Sequence, residues 1–390
     1  MIVFELLFWL SVAAIFHTYV LYPFLLQIMA KGKTENQLVY STTEDLPKIS
    51  ILMSLFNEEE VIAEKIESIY NTNYPANKIE VIIGSDNSTD KTNEIVSEYA
   101  NKYASLNFCP FDKRQGKGNI INQLFEKSKG DILILTDANV IFDQQTLFEL
   151  IKHFKNEEIG LADTNMINKG LKKEGISVQE KAYISREVII KNNESKLWGT
   201  MMGPFGGCYA IRKELYQPVP ANFLVDDFYI NMKVLENKKK AINSINARVY
   251  EDVSNNLNDE LRRKIRIATG NFQNLAVFAH LLLPLNSGLS FSFLSHKVLR
   301  WIGPFFIILS LLSLTILSIN SVFYRWMLLL HCFSLIIPFI DYLLRKIEIH
   351  IIILRFITHF YTMNMALMVG FFKSIKGVES NVWKPTRRNQ

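Results

Sequence analysis

The sequence predicts an α/β domain built on an open sheet, joined to α-helical transmembrane segments. Residues 1–29 and roughly 275–373 are apolar, whereas residues 31–270 have the composition of an ordinary soluble domain. In that middle region short buried strands alternate with helical stripes, which is typical of a sheet with right-handed crossovers. Acidic residues recur where these strands end. A chain of 390 residues is long enough for two such parts.

Strands and helices are predicted in alternation along the middle region. Strands are expected at residues 49–55, 79–83, 131–135 and 209–211, and helices at about 61–70, 118–128 and 174–197, then after Asp90 and from Asp226. Open α/β sheets bind ligands beyond the carboxyl ends of their parallel strands. We therefore expect the functional site among the residues that follow the first three strands.

The first 30 residues predict a retained membrane anchor. They lack a basic start and an Ala-x-Ala-like cleavage site, and they carry Glu5. Lys31 and Lys33 follow at once, and the positive-inside tendency places the next domain in the cytoplasm. The three scattered cysteines have no metal-ligand spacing, which agrees with reduced thiols there. We expect a multi-pass protein of the inner cell membrane.

The C-terminal third presents a topology problem. Residues 273–298 form amphipathic pieces, residues 299–373 supply three apolar runs, and residues 374–390 form a basic tail. One N-terminal span and three C-terminal spans would put the tail opposite the domain, but basic tails favour the cytoplasmic side. Either one run does not span, or the tail is an exception. The candidate for a non-spanning or tilted segment is residues 347–372, which contain Arg355, His359 and Asn364.

Composition argues against three other classes of protein. The formal charge of +5 is mild, and the middle region has no basic stripe with interleaved aromatic residues, so nucleic-acid binding is not expected. The basic loop at residues 113–118 lacks the Gly-x4-Gly-Lys-Ser/Thr spacing, which excludes a nucleoside triphosphatase. A transporter fits less well because few polar groups interrupt the apolar runs.

Asp137 and Asn139 follow a buried strand at positions i and i+2. Both side chains can therefore face one side and offer oxygens to a hard cation such as Mg²⁺ or Mn²⁺. In isolation an Asp-x-Asn sequence is more often an Asx turn. The other acids at neighbouring strand ends favour the cation.

Asp86 closes the second predicted strand and precedes the turn that begins the next helix. It is placed to accept hydrogen bonds from a nucleotide base or ribose. Asp90, four residues later, is better explained as a helix N-cap.

Asp226 and Asp227 open a predicted helix, where two acids could simply cap it and complement its dipole. Adjacent side chains point in different directions, so one carboxylate can be held by the scaffold while the other faces a cleft. A buried carboxylate facing an acceptor hydroxyl is the expected general base of an inverting displacement. We assign that role to Asp227.

Arg263 and Arg266 are spaced i, i+3 and lie on one face of a helix that begins with basic residues. Cations at the start of a helix are unfavourable unless an anion is near. A departing diphosphate would supply that anion. A basic, membrane-facing helix is the alternative, because the membrane segments follow directly.

Taken together, these residues resemble family-2 glycosyltransferases with the GT-A fold, a nucleotide-sugar-binding domain with a Rossmann-like mixed sheet. The likeness is to the membrane-bound group that includes hyaluronan, poly-N-acetylglucosamine and cellulose synthases. It covers residues 49–273 and continues more loosely to residues 382–387. The resemblance implies a cytoplasmic GT-A domain at residues 46–272, after an anchor at residues 1–30.

The resemblance also implies a role for each motif. Asp137 and Asn139 would hold Mg²⁺ or Mn²⁺, and Asp227 would be the catalytic base. The acceptor site would include Gly206, Gly207 and Asp226. The nucleotide sugar, expected to carry UDP, would contact Ser54, Phe56, Asn57, Glu58, Asp86, Lys117, Asp137, Arg263 and Arg266.

The chain departs from the family pattern at several positions. Asn139 replaces the second acid of the metal motif, and Ser85 replaces the first acid of the usual Asp-Asp pair. Arg263 and Ile267 stand where the processive synthases have the Gln and Trp of Gln-x-x-Arg-Trp. Processivity therefore does not follow from the resemblance.

We predict a membrane-bound, metal-dependent, inverting glycosyltransferase. It would move a sugar from a nucleotide-diphosphate sugar to a lipid-linked or saccharide acceptor in the synthesis of cell-surface polysaccharide or glycan. Two alternatives stay open: a catalytically silent, nucleotide-sugar-binding subunit of a polysaccharide assembly complex, favoured by Asn139 and Ile267, and a processive polysaccharide synthase. The sequence predicts neither the sugar, the acceptor nor the oligomeric state.

Overall fold

The computed structural model describes residues 1–169, 177–252, 257–378 and 381. Most of the predicted basic tail, including residues 382–390, lies outside the described residues. The described chain forms two compact units. The sheet unit comprises Met29–Asn256, Leu283–Ser292 and Val378–Gln390, and the helical unit comprises Met1–Ile28, Leu257–Leu282 and Phe293–Gly377.

The sheet is mixed, as the sequence predicts. Its strands are β1 Ile49–Leu55, β2 Ile79–Asp86, β3 Leu106–Phe111, β4 Ile132–Thr136, β5 Ile141–Phe142, β6 Ile159–Lys169, β7 Cys208–Arg212 and β8 Lys240–Asp252. Within the described residues they form one sheet in the order β3-β2-β1-β4-β7-β6-β8-β5. The first four strands in that order are parallel, and β7 runs antiparallel to both β4 and β6. β8 is parallel to β6 and antiparallel to β5.

The helices follow the predicted alternation. In chain order they are α1 Ile2–Phe16, α2 Tyr22–Met29, α3 Ile62–Tyr70, α4 Thr92–Lys102, α5 Lys117–Lys127, α6 Thr146–Ile151, α7 Ser177–Trp198, α8 Asp226–Glu236, α9 Leu257–Phe278, α10 Gly288–Ser292, α11 Leu299–Trp301, α12 Gly303–Leu317, α13 Val322–Lys346 and α14 Ile352–Lys376. The expected helices at residues 61–70 and 118–128 correspond to α3 and α5, and the expected helix at 174–197 corresponds to α7 from Ser177 onward, since residues 174–176 lie outside the described residues.

The core of the sheet unit lies on both faces of the central strands. β1 and β4 are almost entirely buried runs of aliphatic residues, which is how strands covered on both faces read in sequence. α3 packs there through Ile62, Ile66 and Ile69, an i, i+4, i+7 stripe with no exposed surface. The sheet therefore forms a rigid base from which the strand-end residues project.

The helical unit contains the apolar segments. In the described part of the chain, three helices are long and apolar enough to cross a membrane: Ile2–Met29, which runs from α1 through a π-helical turn into α2, and then α13 and α14. A fourth candidate, Gly288–Trp301 with Gly303–Leu317, is bent by 62°. It is either a broken span or a re-entrant segment.

The bend falls at a different place from the one expected. Residues 347–372 were the candidate for a non-spanning or tilted segment. α14 is continuous over Ile352–Lys376 and has the length and composition of a span, so that expectation stays a prediction. The break comes instead before α12, where Pro304 occupies the first turn of the new helix. Proline lacks a backbone N–H and is favoured in such a first turn, which agrees with the start of a new helix there.

Candidate active site

One edge of the sheet collects the residues that follow its central strands. β1, β2 and β4 are parallel neighbours, so their carboxyl ends lie at this edge. β7 is antiparallel to β4, with Cys208 opposite Thr136, so the loop that precedes β7 enters at the same edge. The backbone N–H of Asp137 donates to the carbonyl of Gly207 at 2.9 Å. The predicted metal motif, Asp137 and Asn139, is thus adjacent to the loop before β7 that carries Gly206 and Gly207, which we call the acceptor loop.

Asp86, at the end of β2, is held by the loop before α5. Its carboxylate is 2% exposed, and it accepts hydrogen bonds from Nε of Arg114 at 3.2 Å, the backbone N–H of Gln115 at 2.6 Å and that of Gly116 at 2.9 Å. The φ angle of Gly116 is 84°, a left-handed conformation that glycine adopts without strain. The acid therefore organises this loop in the structure.

Arg114 is a candidate functional residue that sequence reasoning missed. Its guanidinium lies 3.3 Å from the centroid of the Phe56 ring while it pairs with Asp86. A planar cation over an aromatic ring beside a carboxylate offers stacking and hydrogen bonding to a flat heterocycle. The only sequence signal was the basic character of residues 113–118, which did not single out Arg114.

Asn57 organises the first loop. Its φ angle is 54°, its backbone N–H donates to Ser88 Oγ at 3.1 Å, and its side-chain oxygen accepts from the Thr89 N–H at 2.8 Å. These bonds tie the loop after β1 to the turn after β2. Glu58 is buried beside it, and Ser54 is partly buried within β1. The predicted nucleotide contacts of Ser54, Asn57 and Glu58 stay predictions.

Asp90 has a structural role, but it lies one residue before the N-cap of α4, which is Lys91. Its carboxylate accepts from the backbone N–H of Thr92, the first residue of α4, at 3.0 Å, and from that of Glu59 at 3.2 Å. It therefore stabilises the start of α4 and joins that start to the loop after β1.

Lys117 and Asp137 form an ion pair in the site. The Nζ of Lys117 donates to Oδ1 of Asp137 at 2.7 Å, and both side chains keep some exposure. Burial alone lowers the pKa of Lys117, but the carboxylates of Asp137, Asp226 and Asp227 outweigh it, so the pKa lies above its ordinary value. Lys117 therefore remains a cation among these three acids at any physiological pH.

Lys65 lies fully buried beneath the same turn. Its Nζ donates to Oγ1 of Thr136 at 2.9 Å and to the carbonyl of Val140, and it lies 3.5 Å from the centroid of the Phe142 ring. Burial lowers the pKa of Lys65 to about 7, although the charge of Asp137 acts in the other direction. Lys65 thus anchors both ends of the turn that carries Asp137 and Asn139.

Asn139 contacts a residue far away in the sequence. Its Nδ2 donates to Oε1 of Glu251, near the end of β8, at 2.9 Å. Asp137 and Asn139 offer the carboxylate and amide oxygens that Mg²⁺ and Mn²⁺ accept, and Glu251 adds a carboxylate beside them. In the described residues no group of three or more His, Cys, Asp or Glu is arranged to hold a metal. The donor set fits a cation that takes the rest of its ligands from phosphate and water.

Asp227 lies in the first turn of α8, against the acceptor loop. A Cβ placed on Gly206 would come within 2.6 Å of Oδ2 of Asp227, so only glycine leaves room for the carboxylate. The φ angle of Gly206, 83°, also favours glycine. Burial, followed by the charge of Asp226, raises the pKa of Asp227 to about 7, while Lys117 acts against this rise. A carboxylate with such a pKa suits proton abstraction near neutral pH.

A buried ion pair packs against the acceptor loop. Lys191 of α7 donates to Oδ2 of Asp163 in β6 at 2.6 Å, and neither side chain is more than 1% exposed. The Nζ of Lys191 also lies 3.3 Å from the centroid of the Phe205 ring, in the loop before β7. α7 looked polar in the sequence because charged side chains such as Lys191 face the protein interior.

Arg263 and Arg266 lie on α9, which belongs to the helical unit. Arg263 pairs with Glu260 at 3.5 Å, and Lys264 pairs with the same carboxylate at 3.3 Å. α9 begins at Leu257, so Arg263 and Lys264 lie in its second turn and not at its start, as the sequence had predicted. Glu260 is 3% exposed, so a buried acid partly neutralises these two cations. The predicted diphosphate contacts of Arg263 and Arg266 stay predictions.

The mixed sheet with its acidic edge has the GT-A fold. Residues 50–219 match the sequence profile of the family described as Glycosyl transferase family 2. This stretch runs from β1 to just past β7 and includes Asp86, Lys117, Asp137 and the acceptor loop. Residues 50–219 of the sheet unit are therefore similar to glycosyl transferase family 2.

Curated relatives match part of this domain. A probable glycosyltransferase, YdaM, of Bacillus subtilis is 32% identical over 118 residues, which is 30% of this chain and 28% of the relative. A beta-monoglucosyldiacylglycerol synthase of Nostoc is 30% identical over 156 residues, or 40% and 33%. A poly-beta-1,6-N-acetyl-D-glucosamine synthase of Staphylococcus epidermidis is 29% identical over 129 residues, or 33% and 31%. The chain thus aligns with about a third of each relative's length.

A solved structure shares the fold over nearly the whole chain. The mannosyltransferase PcManGT from Pyrobaculum calidifontis, in complex with GDP-Man and Mn²⁺, superposes with a TM-score of 0.73. The match covers 95% of this chain and 99% of that one at 20% sequence identity. The likeness therefore concerns the fold, including its helical segments.

Proposed function

We propose that this protein is an inverting glycosyltransferase that moves a sugar from a nucleoside-diphosphate sugar to an acceptor hydroxyl. The observation that carries the proposal is the environment of Asp227. Its carboxylate lies against Gly206 and has a raised pKa. The charges of Lys117 and Asp137 both influence that pKa, the first lowering it and the second raising it. A base beside a cation and a phosphate-binding motif is the arrangement that glycosyl transfer with inversion requires.

The donor would bind along the edge of the sheet. The base would contact Phe56, Arg114 and Asp86, where an aromatic ring, a planar cation and a carboxylate lie together. The diphosphate would lie near Lys117 and Asp137. By the family resemblance, Arg266 would add a second positive charge on the diphosphate. UDP is the expected nucleotide, and the structural relative's GDP-Man makes GDP the second choice to test.

Asp137 and Asn139 are the residues that would hold Mg²⁺ or Mn²⁺. When bound, the cation would neutralise negative charge on the leaving diphosphate. Support comes from the oxygen donors of the two side chains and from the Mn²⁺ in the structural relative. Asn139 is uncharged. Among the described residues, Lys117 is the positively charged side chain that forms an ion pair with Asp137.

The chemical step is a single displacement. The acceptor oxygen forms a bond to the anomeric carbon as the bond from that carbon to the diphosphate oxygen breaks, which inverts the configuration. The acceptor proton passes to Asp227, and the electron pair of the broken bond leaves with the diphosphate. Lys117 would stabilise the charge that develops there. Gly206 and Gly207 would let the acceptor approach the base closely.

The acceptor is proposed to be a lipid-linked or saccharide hydroxyl at the cytoplasmic face of the inner membrane. The apolar helices α1 to α2, α13 and α14 support a multi-pass protein with its acceptor drawn from the bilayer. Relatives named as a glucosyldiacylglycerol synthase and a poly-N-acetylglucosamine synthase suggest glycolipid or polysaccharide synthesis as the setting.

The test is a donor screen on membranes that contain the protein. Radiolabelled UDP- and GDP-sugars are supplied with Mg²⁺ or Mn²⁺, and the products are extracted into organic solvent and sized. We expect one donor to label a product, and Asp227→Asn to abolish the labelling. The matched control is Asp252→Asn, which removes an exposed acid outside the site. Donor binding with no transfer of any sugar would favour a silent subunit, and a ladder of products would favour a processive synthase.

A further inference from the structure

Asn139 is the position where the metal motif lacks its second acid. An asparagine side chain has two chemically different ends, a carbonyl oxygen and an NH₂ group. Only the oxygen can bind a cation. The end that faces the site therefore decides whether Asn139 helps or hinders metal binding.

The hydrogen bond to Glu251 decides this orientation. A carboxylate is an acceptor only, so Oε1 of Glu251, 2.9 Å from Nδ2, selects the NH₂ end of Asn139. Because the amide is planar, fixing Nδ2 also fixes the direction of Oδ1. A hydrogen bond to an ionised carboxylate is stronger than one between neutral groups, so the selection is firm.

Glu251 is itself held in place by the sheet. β5 and β8 are antiparallel, with Ile141 opposite Tyr250 and Phe142 opposite Val249, so the register brings Glu251 across from the Asn139 turn. On its other side β8 pairs with β6, with Glu251 opposite Asn168. The carboxylate thus projects from a strand with a neighbour on both sides, and it contacts a residue 112 positions earlier in the chain.

We propose that Glu251 is a positioning residue of the candidate metal site. It orients the Asn139 amide so that Oδ1, rather than the NH₂ group, faces the cation and diphosphate. Its carboxylate also supplies a negative charge beside Asn139, where the second acid of an Asp-x-Asp motif would have supplied one. This inference rests on the proposed function, since it takes the Asp137 and Asn139 turn to be the cation site.

The first experiment measures Mn²⁺ binding without catalysis. Mn²⁺ is titrated into the full-length protein in detergent with UDP or GDP, and free Mn²⁺ is read by electron paramagnetic resonance. We expect Glu251→Ala to weaken Mn²⁺ binding by about tenfold or more, as loss of a residue that orients a metal ligand commonly does. Glu251→Gln should weaken Mn²⁺ binding less than Glu251→Ala, because the glutamine oxygen can still accept from Asn139 although the negative charge is lost. Asp252→Ala, one residue further along β8 and exposed, is the matched control.

The second experiment reverses the polarity of the hydrogen bond. Asn139→Asp alone would set two carboxylates against each other and lower the melting temperature of the metal-free protein. Adding Glu251→Gln lets the glutamine NH₂ donate to the new aspartate, so the double variant should recover the melting temperature and bind Mn²⁺ at least as tightly as the wild type. This readout requires neither the correct sugar nor an acceptor.

Several outcomes would overturn the proposal. They are unchanged Mn²⁺ binding in Glu251→Ala, equal melting temperatures for Asn139→Asp with and without Glu251→Gln, and no Mn²⁺ binding by the wild type with either nucleotide. Failure of the proposed function looks different. In that case Mn²⁺ and nucleotide bind as described, but no sugar is transferred from any donor.

Discussion

The Nζ of Lys65 lies 2.9 Å from Oγ1 of Thr136 in the interior of the sheet unit, directly before the residues of the candidate metal motif. The same ammonium group donates to the carbonyl of Val140 on the far side of that motif. A buried charge is costly unless it is paired or hydrogen-bonded, so a lysine that bridges both ends of a functional turn indicates that the turn must be rigid.

The pH dependence of stability tests the buried state of Lys65. Burial lowers its pKa to about 7 in the folded protein, against an ordinary value of 10.5 in the unfolded chain. Between these values the unfolded state binds more protons, so the free energy of unfolding should rise with pH from about 7 to about 10 relative to Lys65→Met. Chemical denaturation across this range measures it. A constant difference between wild type and variant would contradict a lowered pKa.

The pH dependence of transfer tests Asp227 as the base. The base must be ionised to accept a proton, and the pKa of Asp227 is raised to about 7. We expect kcat/KM to rise with pH up to about 7 and then level off, and Asp227→Asn to lose roughly 10²- to 10⁴-fold in activity. Asp226→Asn is an informative comparison. Loss of its charge should lower the pKa of Asp227 and move the rising limb of the profile to lower pH.

The same carboxylate makes a prediction about stability. A carboxyl whose pKa is raised on folding stabilises the folded state at low pH, and this contribution is lost as pH rises from the ordinary value near 4 through about 7. Asp227→Asn should therefore have a higher melting temperature than the wild type at pH 8, and the advantage should vanish near pH 4. An inactive variant that is also less stable at pH 8 would indicate a structural role instead.

Gly206 should tolerate no side chain. Alanine at this position would place its Cβ 2.6 Å from Oδ2 of Asp227 and would hold a positive φ of 83°, which costs about 1–2 kcal/mol by itself. Gly32→Ala separates the two effects. Gly32 has a φ of 76° but no atom within 4 Å of an added Cβ. We expect both variants to lose some stability and only Gly206→Ala to lose transfer activity, measured with the donor found in the screen.

Sequence patterns predicted the strand ends and the acids that follow them, but not the partners that those residues contact in the fold. Asp86 and Asp137 were found because each follows a run of aliphatic residues that can only be a buried strand. Arg114, Lys65 and Glu251 were missed. Lys65 lies on a helix whose other inward residues are apolar, so its sequence position gave no reason to expect a buried cation.

The missed contacts are long-range. Lys65 lies 71 residues from Thr136, and Glu251 lies 112 residues from Asn139. Contacts of this kind follow from the strand order, in which β8 returns beside β5 and β6 after the rest of the sheet is complete. Local patterns predict strands and helices, whereas only the assembled sheet shows which polar side chains share a turn.

Arg114 should affect donor binding more than turnover. It stacks on Phe56 and pairs with Asp86, both in the proposed nucleoside subsite and away from Asp227. We expect Arg114→Ala to raise KM for the donor roughly tenfold, equal to about 1.4 kcal/mol, with little change in kcat. Lys113→Ala is the control for loss of a positive charge in the same loop. A fall in kcat at unchanged KM would place Arg114 in the chemical step.

A contact between Asn381 and Gly116 bears on the topology of the C-terminal third. Asn381 is 8% exposed, and its side chain lies against Gly116 within the sheet unit. We therefore expect the chain that follows α14 to lie on the same side of the membrane as the sheet domain. An even number of crossings is then expected between them, so no more than two of the three candidates cross. We expect these to be α13 and α14, because the third, Gly288–Trp301 with Gly303–Leu317, is bent by 62°.

Thiol labelling of intact cells tests this arrangement. Single cysteines are introduced at Asn320, before α13, and at His350, before α14, in a chain whose native cysteines are replaced by alanine. If α13 and α14 cross and the bent pair does not, a membrane-impermeant reagent should label position 350 from outside the cell. Position 320 should react only after permeabilisation, like an added cysteine at Gly32 in the sheet unit. Labelling of position 320 and not 350 from outside would contradict this arrangement: the bent pair and α13 would cross, and the contact of Asn381 with Gly116 would then require that α14 does not cross.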